Sequence, residues 1–375
     1  MKSVVRTKPS KTTTMPELEP YSDRSQLWDA FKGQVFGTIP AVTAKNISDP
    51  EDRNRTIIVT GANGGLGFEA AKQFVQLGYV STLILACRSV EKGEKAKTAL
   101  LAFRPSGSKT NVEVWSLDMA STASIVAFTE RAGRELSRID AIVLNAGVDL
   151  VSYQKASQED DSYYEMTLMV NVVGTFLLAV LMVPVLRHQS VATPRIVITG
   201  SVVQFVAKYD VLAEADHKQT GEGILRWLSE ESRWNGKITE ERYYLSKGIV
   251  QLLERQLAGV IAESSKSAGK GLVVVNCVCP GWCRTDLFQQ SGNAGSRIAL
   301  KLIGRNGDVG ARALVVGAIG KEGDKASHGQ LLSEGRVKKC SSWCETKQGE
   351  RIGRQFWKEV SELVEKVQPG AMAEL

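Results

Sequence analysis

Histidine is almost absent from this 375-residue chain: only His188, His217 and His328 occur. A catalytic or metal-binding scheme built on imidazole therefore has little material to use. Cysteine is equally thin. Cys87, Cys277, Cys279, Cys283, Cys340 and Cys344 lie mostly in or beside apolar runs, at spacings that suit neither a disulfide framework nor a zinc site. Cys340 and Cys344 make a lone CxxxC with no second ligand pair. Reduced thiols in a cytoplasmic protein are the expectation, and no metal is expected. There is no dense basic block beyond the first dozen positions, although 47 basic against 41 acidic residues leave a formal charge of +6. Nucleic-acid binders concentrate such charge, so no nucleic-acid partner is expected. The opening MKSVVRTKPSKTTTMP has no apolar core of signal-peptide length and reads as a loose tail. One run, TLMVNVVGTFLLAVLMVPVL at 167–186, is as long as a membrane span requires. It carries Asn171 and Pro184 and lies between segments that read as strands of one sheet. A helix buried on that sheet is expected, not a membrane contact.

What is present is the balance of a protein with a substantial core, 43% hydrophobic and 23% charged. The length suits one large α/β domain with additions. Residues 1–54 read as a tail plus a docked segment, in which Leu27, Trp28, Phe31 and Val35 recur at helical spacing within 26–38. From residue 55 short apolar runs alternate with longer amphipathic ones, which signals a parallel sheet with helices on both faces. Strands are expected at 55–60, 82–87, 112–117, 141–146, 195–200, 272–279 and 329–333, with helices beginning near 65, 90, 121, 161, 242, 308 and 348. The last helix runs over 348–368. An insertion at 202–242, bearing Trp227 and Trp234, and a second irregular stretch between 280 and 308 break the rhythm; long connections of this kind often carry function.

The first strand runs into TGANGGLG, Thr60 to Gly67, and then into a helix. Glycines here let the backbone turn tightly toward a pyrophosphate, the helix N-terminus offers amides to the anion, and Gly67 allows close helix–strand packing. At the end of the second strand an NAD site normally carries a carboxylate for the ribose, whereas NADP needs room and positive charge. Arg88 and Ser89 stand there instead, and a guanidinium fork matches a phosphate; NADP(H) is the expected cofactor. Asp118 and Met119 end the third strand near the expected adenine. Asn145, Ala146 and Gly147 end the fourth, at the carboxyl edge where such sheets bind ligands.

Residues 243–247 read YYLSK. A free phenol has a pKa near ~10 and is a poor acid at neutral pH unless a cation stabilises its anion. Tyr243 stands four residues before Lys247 and Tyr244 three before it, so helical spacing admits either.

TGANGGLG, LNAG at 144–147, Asn171 within VNVVGTF, Ser201 after RIVITG, YYLSK, and PGWCRTD at 280–286 occur in the order and approximate spacing of the short-chain dehydrogenase/reductase family. Over residues 55–335 the chain resembles that family, and its ACR strand ending is similar to that of retinol-dehydrogenase-like reductases. The SHGQLL stretch and the Trp-bearing helix after it resemble extended fungal members. The resemblance implies that Tyr243 is the general acid/base, since the family pattern is YxxxK, and that Lys247 lowers its pKa and holds the nicotinamide ribose. Ser201 would hydrogen-bond the substrate oxygen, and Asn171 would help order a water chain. The implied cofactor contacts are Thr60, Gly61, Asn63, Gly65, Leu66, Gly67, Arg88, Asp118, Met119, Asn145, Ala146, Gly147, Tyr243, Lys247, Pro280, Gly281 and Thr285. Cys283 would be a passive lining residue. Two departures stand out: Gly200 sits where many relatives have a second serine, and the insertion before Tyr243 is longer than in minimal relatives.

The expected fold is thus a single Rossmann-like doubly wound parallel sheet of about seven strands, order 3-2-1-4-5-6-7, with N- and C-terminal extensions. The expected activity is NADP(H)-linked interconversion of a ketone or aldehyde and an alcohol on a bulky, largely apolar small molecule, as in secondary-metabolite biosynthesis; Trp227 and Trp234 suggest the bulk. The competing reading is an NADP-binding scaffold whose hydride transfer has lapsed, against which the complete set Asn171, Ser201, Tyr243 and Lys247 speaks. Helices near 161–187 and 242–263 correspond to those that pair subunits in relatives. They suggest a homodimer, unless the extensions cover that face.

Overall fold

The run RTIIVT becomes β1 (Arg55–Thr60), buried at every position. That is the mark of a parallel strand covered on both faces. Ile57 and Val59 pack into one cluster and Ile58 into the other, as the two-residue alternation of a strand requires. The computed structural model describes residues 24–157, 163–189, 192–218, 223–234, 239–285 and 300–375. The N-terminal tail, the middle of the 280–308 stretch and parts of the 202–242 insertion lie outside the described residues.

The main sheet adds β2 (Val80–Cys87), β3 (Asn111–Ser116), β4 (Ala141–Leu144), β7 (Arg195–Thr199), β8 (Val274–Cys279), β9 (Gln330–Ser333) and β10 (Arg336–Lys338). Their spatial order is β3-β2-β1-β4-β7-β8-β9-β10. Parallel pairing runs from β3 to β9. Counted along this sheet, the first seven strands stand in the expected order 3-2-1-4-5-6-7. The eighth, β10, was not anticipated. It pairs antiparallel with β9 across a tight turn in which Glu334 and Gly335 both have positive φ, 55° and 71°. Its three residues, Arg-Val-Lys, are too few and too polar to register as a strand. Neither was the separate hairpin of β5 (Lys155–Ser157) and β6 (Tyr163–Glu165) expected.

On one face lie α2 (Gly65–Leu77), α3 (Val90–Leu101) and α10 (Gly307–Ile319). On the other lie α4 (Thr122–Glu135), a helix built from α5 (Met166–Leu168), a π-turn Met169–Gly174 and α6 (Thr175–Gln189), then α9 (Thr239–Ser267) and α11 (Lys347–Val367). The stretch Met166–Gln189 is apolar and long enough to cross a membrane by composition, yet 89% of its most apolar window is buried inside the chain. It is the helix under the sheet that the sequence led us to expect. Gly174 permits its approach: a Cβ there would meet the Met119 carbonyl oxygen at 2.1 Å. α11 packs on α9 and α6, and Arg187 of α6 donates to the carbonyls of Glu374 and Leu375. The C-terminal extension thus lies against both helices that the sequence suggested as a pairing surface.

The N-terminal helix α1 (Arg24–Phe36) docks differently from its apolar pattern. Trp28 is 56% and Phe36 82% exposed, with Phe31 and Val35 outward as well. Contact is made by polar groups: Gln34 bonds the Trp282 backbone on both sides, accepting at 2.8 Å and donating at 3.0 Å. Gln26 donates to the Cys340 carbonyl at 2.9 Å. Trp28, Phe31 and Val35 of the predicted apolar stripe are therefore off the docking face, and the amide side chains of Gln26 and Gln34 make the contact by reaching the irregular backbone after β8 and β10.

Candidate active site

The carboxyl ends of β1, β2, β3, β4, β7 and β8 open on one cavity of about 520 Å³. Thr60 draws the ends of β1 and β4 together. Its hydroxyl accepts from the amides of Asn145 and Ala146, both at 2.9 Å, and Asn145 Nδ2 returns a bond to the Thr60 carbonyl at 3.0 Å. The glycine loop then has the room a pyrophosphate needs. Gly61 turns with φ 65°, and a Cβ there would press the Ala146 Cα at 3.0 Å; Gly65, at φ 54°, faces open space. Gly67 does not line the cavity. It lies beneath the loop, where a Cβ would meet the Gly61 oxygen at 2.5 Å, so its work is close packing of α2 on β1. With α2 starting at Gly65 on the cavity wall, these residues fit the pyrophosphate of a dinucleotide.

Arg88 and Ser89 line the far end, joined by Lys92. Ser89 caps α3 by accepting the Lys92 amide. Asp118 is held at the rim by the Ala120 amide, 2.9 Å from Oδ1, and Met119 lines the same wall. Pro280, Gly281 (φ 79°) and Thr285 close the opposite side. Among the catalytic and cofactor-binding candidates, only Gly67 and Asn171 are not on the cavity surface.

Ser201, Tyr243 and Lys247 converge there, all buried. Tyr243 and Ser201 share a hydrogen bond. The Lys247 ammonium donates to the Thr199 carbonyl at 2.8 Å and lies 5.6 Å from the centre of the Tyr243 ring. We expected the amine to lower the phenol's pKa. The structure shows burial, seconded by the Asp149 carboxylate, pushing the phenol up instead, with the Ser201 bond opposing. The same burial pushes Lys247 down to about 8.

That depression has a sign that can be measured. Between about 8 and the ordinary 10.5 the folded state binds fewer protons than the unfolded chain at Lys247, so its contribution to stability rises with pH across that window. Below 8 the burden is full, on the order of 3 kcal/mol. The raised phenol acts oppositely, losing stability only above its ordinary value. Lys247→Met should therefore melt higher relative to wild type near neutrality than at pH of about 9.5. A melting difference independent of pH would refute the assignment.

Asn171 sits in the π-turn, one layer below the cavity wall. Its Oδ1 accepts the Val148 amide at 2.8 Å, and Nδ2 donates to the Val148 carbonyl at 2.9 Å and to Ser246 Oγ at 3.1 Å. Ser246 passes a bond on to the Tyr243 carbonyl at 2.7 Å. The side chain is a clamp between the loop after β4 and the helix carrying Tyr243, and both of its N–H groups are engaged in these bonds. Gly200 also has a reason: a Cβ would come within 2.5 Å of Cys277 Sγ, leaving no room for a second serine.

Sequence reasoning missed Lys92, Val148, Asp149, Leu150 and Val170 on the cavity wall. Lys92, one turn into α3, was findable from the helix start beside Arg88. Asp149 follows an irregular loop, whose spacing carries no signal. Trp227 and Trp234, offered as substrate contacts, do not line this cavity. In the described part of the insertion, α7 (Asp210–Lys218) is followed by α8 (Ile224–Leu228), which is tied to α11, its Ile224 and Leu225 amides donating to Glu359 at 2.7 and 2.9 Å. Cys283 lines the pocket, but burial pushes its thiol up to about 12, so it is no nucleophile. His328 is structural, accepting the Val275 amide at Nδ1 and meeting the Ala258 carbonyl at Nε2.

Comparison with known proteins agrees with this geometry. Residues 55–239 match the family model for short chain dehydrogenase. The short chain dehydrogenase/reductase dmxR8 of Cryptosporiopsis sp. (strain 8999) is 32% identical over 348 residues, spanning 90% of this chain and 97% of that protein. The short-chain dehydrogenase anuD of Penicillium roqueforti (strain FM164) is 34% identical over 324 residues, 85% of this chain and 79% of the other. Among solved structures, the Pseudomonas aeruginosa RhlG/NADP active-site complex shares the fold, with a TM-score of 0.53 at 20% identity over 75% of this chain and 94% of its own. The chain belongs to the short-chain dehydrogenase/reductase family. It is, with that family, an oxidoreductase that uses a nicotinamide dinucleotide on a small-molecule substrate.

Proposed function

We propose that the protein is an NADP(H)-dependent reductase that interconverts a ketone or aldehyde and an alcohol on a bulky, largely apolar small molecule of the kind made in secondary metabolism. The observation that carries the cofactor reading is the end of β2. Arg88, Ser89 and Lys92 border the cavity there, and no carboxylate stands with them where an NAD-selective site would place one. Asp118 belongs to the next strand end and is engaged with the Ala120 amide. When bound, the nicotinamide supplies or accepts the hydride. Ser201 hydrogen-bonds the substrate oxygen, and Tyr243 gives its proton to that oxygen as the alcohol forms. A phenol kept protonated by burial suits this acid role. Lys247, anchored by the Thr199 carbonyl, holds the ribose end and places positive charge beside the phenol as it ionises. Val148, Leu150 and Val170 give the substrate side an apolar wall.

The test is a ketone and alcohol screen with NADPH and NADH in parallel, and equilibrium binding of both nucleotides to wild type and Arg88→Asp. The variant should shift the NADPH-to-NADH preference toward NADH by about tenfold or more, in affinity as in kcat/KM. An unchanged ratio would sink the phosphate-binding role of Arg88. Tight nucleotide binding without turnover on any carbonyl would favour the lapsed-scaffold reading.

A further inference from the structure

A second cavity, of about 210 Å³, lies in the insertion against the outer side of α9, where Val211, Leu228, Leu245 and the Trp227 ring form apolar walls. Arg242 borders it and is only 2% exposed. A guanidinium so far from water ordinarily has a carboxylate partner, because an uncompensated buried charge is costly. Among the described residues Arg242 has none. Its Nε and Nη1 are sealed and make no hydrogen bond, and no ion pair reaches it. Its recorded contact is a ring, with its guanidinium carbon 5.5 Å from the centre of Trp234.

The nearby carboxylates are committed elsewhere. Glu165 is close enough to feel the charge, but its two oxygens accept the amides of Thr167 and Leu168, at 2.9 and 3.1 Å. Glu241 pairs with Lys208, and Glu230 with Arg233 at 3.3 Å; Glu214, also on the wall, is exposed. Arg233 in turn lies over the Trp227 ring at 3.8 Å. The Trp227 indole N–H, also buried, has no acceptor. Beside this cavity, whose wall is part apolar and part charged, the chain thus holds a buried cation that no carboxylate among the described residues pairs with directly.

We propose that this cavity is a second small-molecule site, for an organic carboxylate on an apolar body. The carboxylate would supply the partner Arg242 needs at its remaining nitrogen, while the body displaces water from Val211, Leu228 and Leu245. Because Arg242 immediately precedes Tyr243, such a ligand would fasten the insertion to the helix that carries the proton donor.

The probe is 3-phenylpropionate, titrated calorimetrically into the full chain with and without saturating NADP+. Its neutral isostere 3-phenylpropan-1-ol and inorganic phosphate serve as controls. The acid should bind saturably and equally well beside NADP+, and the alcohol and phosphate each about tenfold or more weakly. Arg242→Met removes an uncompensated buried charge at similar volume, so it should melt no lower than wild type and should lose acid binding to the level of the alcohol. The assignment fails if NADP+ displaces the acid, if the alcohol binds as tightly, if Arg242→Met binds the acid like wild type, or if no saturable binding occurs. Should Arg242→Met not fold, the acid-to-alcohol ratio and the NADP+ competition on wild type decide the matter.

Discussion

Tyr243→Phe should lose roughly 10²- to 10⁴-fold in turnover, while Tyr244→Phe retains most of its activity. The two phenols are neighbours in sequence and touch edge to face, with ring centres 6.4 Å apart, so a difference this large must come from where each hydroxyl lies. Tyr243 is on the cavity wall with Ser201 and Lys247. Tyr244 is turned away from it and packs at the edge of the core beneath the sheet. Removing the Tyr243 hydroxyl leaves the substrate oxygen without a proton donor and leaves the ring in place, so nucleotide affinity and melting temperature should stay near wild type. Stopped-flow hydride transfer on a substrate found in the NADPH screen reads the chemical step directly. Full turnover by Tyr243→Phe, or a loss of equal size in Tyr244→Phe, would remove Tyr243 from the proposed role.

This pair also shows how far the sequence could be read. Spacing on a helix admitted both tyrosines. The resemblance chose Tyr243, and only the folded wall shows why Tyr244 is excluded. The sheet was legible because its strands are buried on both faces and so appear as unbroken apolar runs, as in β1 and β8. β10 was not, since three residues on an edge need no such pattern. The glycine loop was legible because backbone room has a residue type of its own. Asp149 and Lys92 were not, because a carboxylate after an irregular loop and a lysine in an exposed turn look like any others until the cavity is drawn around them. α1 misled for a related reason: helical spacing reveals a stripe but not what opposes it, and Gln34 docks where Trp28 and Phe31 were expected to. Trp227, read as a sign of a bulky substrate, is not on the wall of the large cavity, and its position was not legible because the tie of α8 to Glu359 spans more than a hundred residues of sequence and leaves no local trace.

Asn171→Leu should cost stability before it costs chemistry. The substitution strips partners from the Val148 amide and carbonyl and from Ser246 Oγ, all recorded as bonded to this one side chain. Orphaned buried groups of this kind cost about 1–3 kcal/mol each, and partial relaxation brings the sum to roughly 2–5 kcal/mol. A shorter side chain would only add a cavity, so the nearly isosteric leucine isolates the polar loss. The consequence for function follows from the connectivity. The clamp joins the Val148–Leu150 wall to Ser246, and through it to the Tyr243 carbonyl, so its loss loosens substrate wall and proton donor together. Urea unfolding should show a lower midpoint with an unchanged slope, and steady-state kinetics should show KM rising along with a fall in kcat. A residue whose main task was to order a relay of waters would behave otherwise, losing kcat alone while unfolding at the wild-type midpoint. That outcome would place Asn171 in the proton path and leave the three bonds of the clamp without energetic weight.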